Sequence, residues 1–332
     1  MSPESRAAGP VVAPVVAICG GIGGAKLALG LYRHLGPDRL TVVVNTGDDF
    51  EHFGLHISPD LDTVLYTLTG RINPDTGWGR AGETWNFMAA IAELGGETWF
   101  QLGDKDLALH VERTRRLRAG EPLSRITASI AERFGLKARI LPMSEDRLST
   151  IVHTPDGPLP FQHYFVRERC EPRVTGIVFD GAEDACAQPE AVRALSDPSL
   201  QAVVICPSNP YLSVDPILAV PGLRSAVAAC PAPVIAVSPL VGGHAIKGPT
   251  AKIMAELGIA VTPKSICAHY EGLLDGFVLD LEDAQIAGSI GLPTLVAQTV
   301  MRTLEDKQRL AQAVLEFARD LVAGGKQKQV RP

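Results

Sequence analysis

Long apolar runs, basic stripes and paired cysteines are what this sequence lacks. No uninterrupted apolar stretch is long enough to span a bilayer, so no membrane span is expected. The apolar opening, Val11 to Ile18, is broken by Pro14 and followed by glycines and Lys26, which reads as a first core strand rather than a signal peptide. No long basic stripe appears, and the net charge is −6, which argues against nucleic acid as a partner. A polyphosphate ligand would have to be met by local lysines, backbone amides or a metal. The six cysteines (Cys19, Cys170, Cys186, Cys206, Cys230, Cys267) include no CxxC pair and several sit in apolar runs, so reduced, buried thiols in a cytoplasmic protein are expected. There is no internal repeat and no low-complexity linker. What remains is an ordinary globular composition over 332 residues, enough for one large α/β domain or two modest ones.

The chain opens with a Pro-, Ser- and Ala-rich stretch, residues 1 to 10, expected to be a disordered tail. A strand from Val12 to Cys19 then enters Gly20-Gly21-Ile22-Gly23-Gly24-Ala25-Lys26, and a helix follows to about Leu35. Strand, glycine turn and helix are the opening of a doubly wound sheet. The turn matches neither of the two familiar phosphate fingerprints. A P-loop needs GxxxxGK[ST], but Ala25 precedes the lysine and Leu27 follows it; a dinucleotide fold needs GxGxxG, but Lys26 stands where the third glycine belongs. The glycines still let backbone approach a ligand, and a helix start offers free amides to an anion. A tight turn with no ligand is the plain alternative.

The stretch Asn45 to Thr63 gathers Asp48, Asp49, Glu51, Asp60 and Asp62 between a strand (Leu40 to Val44) and a helix (Leu61 to Leu68). So many carboxylates repel one another unless a cation joins them, and a hard divalent metal prefers oxygen ligands. Asp48 and Asp62 are the expected metal ligands, and Asp49 the candidate for a base or supporting role toward a substrate hydroxyl. Asp60, just before Leu61, reads as a helix N-cap, and His52 and His56 as surface residues. From Glu83 to Phe134 the pattern is mostly helical, an insertion or cap on the sheet. Trp78, Trp85 and Trp99 fall around it; half-buried core is the favoured reading and a flat aromatic ligand the sharper one.

Strands are expected at 138–141, at 149–154 and 159–167 around the Pro155-Asp156-Gly157 turn, and at 174–179, where a second α/β series begins. More follow at 202–206, 234–237, 277–279 and 294–296, with helices at 251–257 and 303–323. Two of these strands run into polar loops. Ser208 and Asn209 offer a hydroxyl and an amide; the loop from Ser238 to Pro249 offers glycine-lined amides, including Gly243, together with Lys247, as an anion nest. With Gly21, Gly23, Gly24 and Lys26 they describe a pocket for a nucleotide and its phosphates. Each alone is also an ordinary turn or a solvated charge; the conjunction carries the reading.

Nine segments, GGIGGAKLALGL, VVVNTGDD, SPDLDTVLYTL, GWG with ETWN, LGDKDLALH, RAGEPLS, LPMSEDRLST, PSNPYLSVDPIL and VSPLVGGHAIKGP, give the chain a clear resemblance to the 2-phospho-L-lactate transferases of coenzyme F-420 biosynthesis. The resemblance implies a Rossmann-like, three-layer parallel α/β sheet over residues 11–325 with the helical subdomain at about 83–134. It further implies a homodimer that needs Mg²⁺ and moves a phospho-acid group from a guanosine diphosphate conjugate to the ribityl hydroxyl of the deazaflavin Fo, releasing GMP. By the same resemblance Asp48 and Asp62 fall on the metal and Fo-site acids, and Trp85, Asn86 and Lys105 on the Fo wall. Lys105 stands where relatives often carry arginine, which removes a planar, two-pronged contact. The rival is a regulatory protein of the same fold that binds nucleotide sugars without turnover; its acidic loop tends to read DDGGS, not NTGDD. Whether lactate, enolpyruvate or glycerate is carried stays open, because these acids differ by only a few atoms.

Overall fold

The computed structural model describes residues 13–324. The tail expected at residues 1–10 lies outside the described residues. Seven strands form the central sheet: β1 (Val15–Cys19), β2 (Leu40–Val44), β3 (Arg139–Pro142), β4 (Ala202–Ile205), β5 (Val234–Val237), β6 (Gly276–Asp280) and β7 (Thr294–Ala297). They are all parallel, in the order β7-β6-β5-β4-β1-β2-β3. Each inner strand is buried end to end, as expected where helices cover both faces of a parallel sheet.

Alternation along the strands divides the core in two. Val16, Ile18, Val43, Val203, Ile205 and Phe277 face one layer; Val15, Ala17, Cys19, Val42, Val44 and Val204 face the other. The second layer is roofed by α1 (Gly21–Leu35), α2 (Pro59–Leu68) and the long closing helix Leu304–Ala323, whose start is fixed by reciprocal bonds between Thr303 and Asp306. Four of the cysteines are buried, Cys170 is half-buried and Cys186 exposed; all six are free thiols. Among the described residues no single helix is long and apolar enough to cross a membrane.

Two excursions leave the sheet on the same side of β1. Between β2 and β3 the chain makes a short hairpin (Phe50–His52 with Leu55–Ile57), then α2, α3 (Asn86–Glu93), α4 (Asp104–Arg118) and α5 (Leu123–Arg133). Ile57, Met88 and Leu102 form a small core there, separate from the two main layers. Between β3 and β4 a three-stranded antiparallel sheet is built from Ser149–Thr154, flanked by Gly157–Pro160 and Gly176–Asp180. Here the strand pattern misleads. The strand expected at 159–167 stops at Pro160, and His163–Arg167 is a wide helical turn. The strand expected to open a second α/β series pairs antiparallel with 149–154, outside the main sheet. Its half-exposed pattern fits a sheet with one open face, a distinction that a short apolar run does not carry by itself.

Candidate active site

The strand order reverses between β1 and β4, and ligands of open α/β sheets bind beyond the carboxyl ends of strands at such a point. In this chain the two loops leaving those strands are bolted together. The Ser208 hydroxyl donates to the Gly20 carbonyl (2.9 Å) and accepts from the Gly20 amide (3.2 Å). A side chain at Gly23 would collide with the Pro207 carbonyl, and one at Gly24 with the Ser208 hydroxyl and Cys19. Packing of one loop on another therefore accounts for these glycines, and Ser208 is turned inward and consumed. The Gly21 amide is also taken, by Asp60 Oδ1 at 2.6 Å. Of the Ser-Asn-Pro segment, Asn209 uses its oxygen on the Tyr211 and Leu212 amides, while its buried Nδ2 has no partner. Lys26 is half-buried, donates to the Met301 carbonyl (3.2 Å), and has its pKa lowered by burial and then by the Lys247 and Lys307 charges. Lys247 is exposed and reaches the Thr76 carbonyl (3.3 Å). Gly243 lies further along the sheet edge, beside a cavity between the loops that follow β5 and β6.

The acidic segment forms a compact knot at the end of β2. The Asn45 side chain organises it: Nδ2 donates to Asp48 Oδ1 (2.8 Å), Asp60 Oδ2 (3.0 Å) and the Leu212 carbonyl (3.3 Å), and Oδ1 accepts from the Gly47 amide (2.8 Å). Asp49 Oδ2 is held by Ser58 (2.7 Å) and His56 (3.1 Å), and its Oδ1 is buried with no partner. Gln162 closes over Asp48 from the far side. Asp48 and Asp60 are buried, the Asp49 side chain is only 9% exposed, and among the described residues no lysine or arginine pairs with them directly. Burial pushes Asp60 up to about 6. Burial, then the charges of Asp60 and Asp49, hold Asp48 well above the usual carboxylate range. Burial also raises Asp49 against the opposing pull of His56 and Ser58. The partner of Asp48 is therefore Asp60, not Asp62. Asp60 is not the N-cap of its own helix, which starts at Pro59 behind Ser58; it caps the first amide of α1 instead.

Asp62, on the same turn of α2, has a different fate. Both its oxygens bind the buried Arg113 guanidinium, a two-pronged pair. His110 Nδ1 stands 3.7 Å from Asp62, and His110 Nε2 stands 3.6 Å from Asp106. Asp106 in turn accepts from the Tyr66 hydroxyl (2.6 Å). Burial opposes the charges of Asp106 and Arg113, but their partners outweigh it: Asp106 is held below its ordinary pKa and Arg113 above. Asp48 and Asp62, the expected metal ligands, therefore sit in different clusters, and Asp62 lies with Asp106 and His110, whose ligand atoms are all within 4.8 Å of one another and could hold a metal ion. Asp62, Asp106 and His110 line a narrow cleft with Tyr66, Trp78 and Phe100.

The expected Fo wall is open to solvent. Trp78 and Trp85 are 49% and 45% exposed, so the core reading fails for both; Trp99 packs with Phe50, His52 and Phe100. Asn86 donates to Asp104 (2.8 Å), and Lys105 to the Gly82 carbonyl (2.6 Å). His52 and His56 are not plain surface residues, since one is buried among rings and the other binds Asp49. Sequence reasoning missed Asn45, Asp60, His110 and Gln162 as members of the site; for Asn45 its place in NTGDD was the available signal.

Comparison with known proteins agrees with this architecture. A family model described as 2-phospho-L-lactate transferase CofD matches residues 15–316. Among curated proteins, the "Phosphoenolpyruvate transferase" of Kitasatospora aureofaciens is 39% identical over 316 residues, covering 93% of this chain and 97% of that one. The proteins of the same name from Streptomyces coelicolor (40% over 309 residues; 91% and 96% covered) and Mycobacterium marinum (38% over 315 residues; 90% and 95%) are similar to the same extent. Among solved structures, a UPF0052 family member from Bacillus halodurans superposes with a TM-score of 0.60 at 16% identity, covering 91% of this chain and 98% of that one, a likeness of fold. The chain belongs to the CofD family of transferases, the 2-phospho-L-lactate and phosphoenolpyruvate transferases of coenzyme F-420 biosynthesis.

Proposed function

We propose that this chain transfers a phospho-acid group from a guanosine diphosphate conjugate to the ribityl hydroxyl of the deazaflavin Fo, releasing GMP, with Mg²⁺ held at Asp48 and Asp60 and Asp49 beside them as the base. The names of the curated relatives favour phosphoenolpyruvate, over phospholactate or phosphoglycerate, as the acid carried. One observation supports the reading above others: three carboxyls clustered beside the sheet's switch point have no lysine or arginine partner among the described residues, and one oxygen, Asp49 Oδ1, is buried without a partner. A hard divalent ion fits an all-oxygen set of this kind. When bound, Mg²⁺ would neutralise charge on the donor's phosphates.

The residues themselves divide the work. Asn45 and Gln162 fix the direction of Asp48, and Ser58 and His56 fix Asp49. Lys26 and Lys247 offer ammonium groups to the phosphates, and the unpaired Asn209 amide a further donor. The acceptor hydroxyl attacks the phosphorus that bears the organic acid. The bond from that phosphorus to the bridging oxygen breaks, and GMP leaves with the oxygen. The hydroxyl proton passes to Asp49 Oδ1, the oxygen that has no hydrogen-bond partner. Arg113 holds Asp62 at the wall of the aromatic cleft, beside Trp78, where the flat acceptor would lie. Incubation with Fo, Mg²⁺ and a guanylylated phosphoenolpyruvate should give GMP and a new deazaflavin product by mass spectrometry. A nucleotide-sugar-binding regulator of the same fold would give neither.

A further inference from the structure

A base that takes the acceptor's proton has to give it up again before the next turnover, and the Asp49 carboxyl is badly placed to do so alone. Its side chain is nearly buried, and Oδ1 has no partner. Oδ2 accepts from the Ser58 hydroxyl at 2.7 Å and meets His56 Nε2 at 3.1 Å. Ser58 is fully buried, and so is the neighbouring Asp48. His56 differs from both: its side chain is 34% exposed, so one ring nitrogen touches the buried acid while the ring itself reaches solvent.

The local structure fixes the ring in that place. His56 lies on the second strand of the hairpin Phe50–His52 with Leu55–Ile57, and its backbone N–H donates to Thr114 Oγ1 of α4 at 2.8 Å. Directly opposite it across the hairpin stands the exposed Glu51. Opposed residues of an antiparallel pair share a face, with Cβ atoms about 5 Å apart. His56 therefore has a buried carboxyl at one end and a solvated carboxylate beside it. The nearby arginines are occupied elsewhere: Arg118 donates to the Gly54 carbonyl at the hairpin turn (2.7 Å), and Arg113 is paired with Asp62. An imidazole with such neighbours can take up a proton on one nitrogen and release one from the other.

We propose that His56 is the proton exit of the reaction: it takes from Asp49 the proton given up by the acceptor hydroxyl and passes it to solvent at the Glu51 edge. The proposal rests on Asp49 acting as the base, as above, and adds the group that resets it. The acceptor oxygen bonds to phosphorus, the bond from phosphorus to the bridging oxygen breaks, and GMP leaves with that electron pair. One proton is left over, on Asp49 Oδ1. The terminal torsion of a carboxyl is broad and two-fold, so a half-turn exchanges the two oxygens and brings this proton to His56 Nε2. The imidazolium releases a proton to water and is neutral again, and Asp49 is once more a carboxylate. No other reactant is needed.

The test is chemical rescue. Turnover of the wild type, Asp49→Asn, His56→Gln and His56→Ala is measured with Fo, Mg²⁺ and guanylylated phosphoenolpyruvate, with and without imidazole and its methylated forms. Glutamine can still donate to Asp49 but cannot carry a proton, which separates holding the acid from resetting it. Both His56 variants should lose about 10²-fold in kcat, with each KM changed by no more than about threefold. Free imidazole should restore His56→Ala by about tenfold or more, to an extent that follows the basicity of the added base, and should leave the wild type and Asp49→Asn unchanged. Turnover of His56→Gln within about twofold of wild type, or a slow His56→Ala that no imidazole rescues, overturns the exit while leaving Asp49 as the base. Should His56→Ala fold poorly, His56→Gln decides alone. Wild-type turnover by Asp49→Asn overturns the base and the exit together.

Discussion

Asp60 and Asp62 stand two residues apart in the first turn of α2, both are buried, and their surroundings are opposite. Asp62 is closed into a network with Arg113, His110, Asp106 and Tyr66, where each charge faces its complement. Asp60 is packed with Asp48 and Asp49 and is met only by neutral donors, the Asn45 amide and the Gly21 amide. A carboxylate with a buried guanidinium is compensated within the fold; a set of carboxylates without one carries repulsion that the proposed Mg²⁺ would relieve.

The comparison breaks most sharply at Arg113. Arg113→Met leaves Asp62 buried and unpaired, and should lower unfolding free energy by about 3–5 kcal/mol in urea titrations. A loss no larger than that of an exposed arginine would show the pairing to be incidental. Asp60→Asn should do the reverse in the absence of metal. It removes a buried charge whose pKa is raised to about 6, so at pH 7.5 the variant should be more stable than wild type, on the order of 1–3 kcal/mol, while transferase turnover falls by about 10²-fold or more. A destabilised Asp60→Asn with normal turnover would reverse the assignment of the two acids.

The sign of the pH dependence sharpens the same contrast. Asp60 has a folded pKa above its unfolded value of 3.8, so between about pH 4 and 6 the folded state binds more protons than the unfolded state. Its contribution to stability is full below the lower value and is lost as pH rises through about 6. The thermal-stability gap between wild type and Asp60→Asn should therefore be small near pH 4.5 and widen toward pH 7.5. A gap that narrows over that range would contradict the raised pKa. The smallest effect is expected at Lys105, whose exposed ammonium binds only the Gly82 and Ala81 carbonyls. Lys105→Arg should leave melting temperature and turnover unchanged within error.

The sheet was largely legible because its inner strands are fully buried apolar runs; β5, which runs into Ser238-Pro239, was read to the residue. The small antiparallel sheet was not, since a five-residue apolar run pairs equally well in either sheet. At the site, local rules explained the wrong partner. Asp60 obeys the N-cap pattern for α2, yet the amide it satisfies lies 39 residues earlier, on α1. Ser208 looked free for a ligand because its partner, Gly20, is 188 positions away. Asp62 looked equivalent to Asp48 because Arg113, 51 residues on, is a plain helix-face arginine in sequence. Clustering of acids can be read along a chain, but which of them carry uncompensated charge depends on contacts between distant segments.

The most direct measurement is a calorimetric titration of Mg²⁺ into the nucleotide-free wild type, Asp48→Asn and Asp60→Asn at pH 7.5. One bound ion in the wild type, lost in both variants while each remains folded, is the expected result. Binding that persists unchanged in both would place the metal elsewhere and contradict the account.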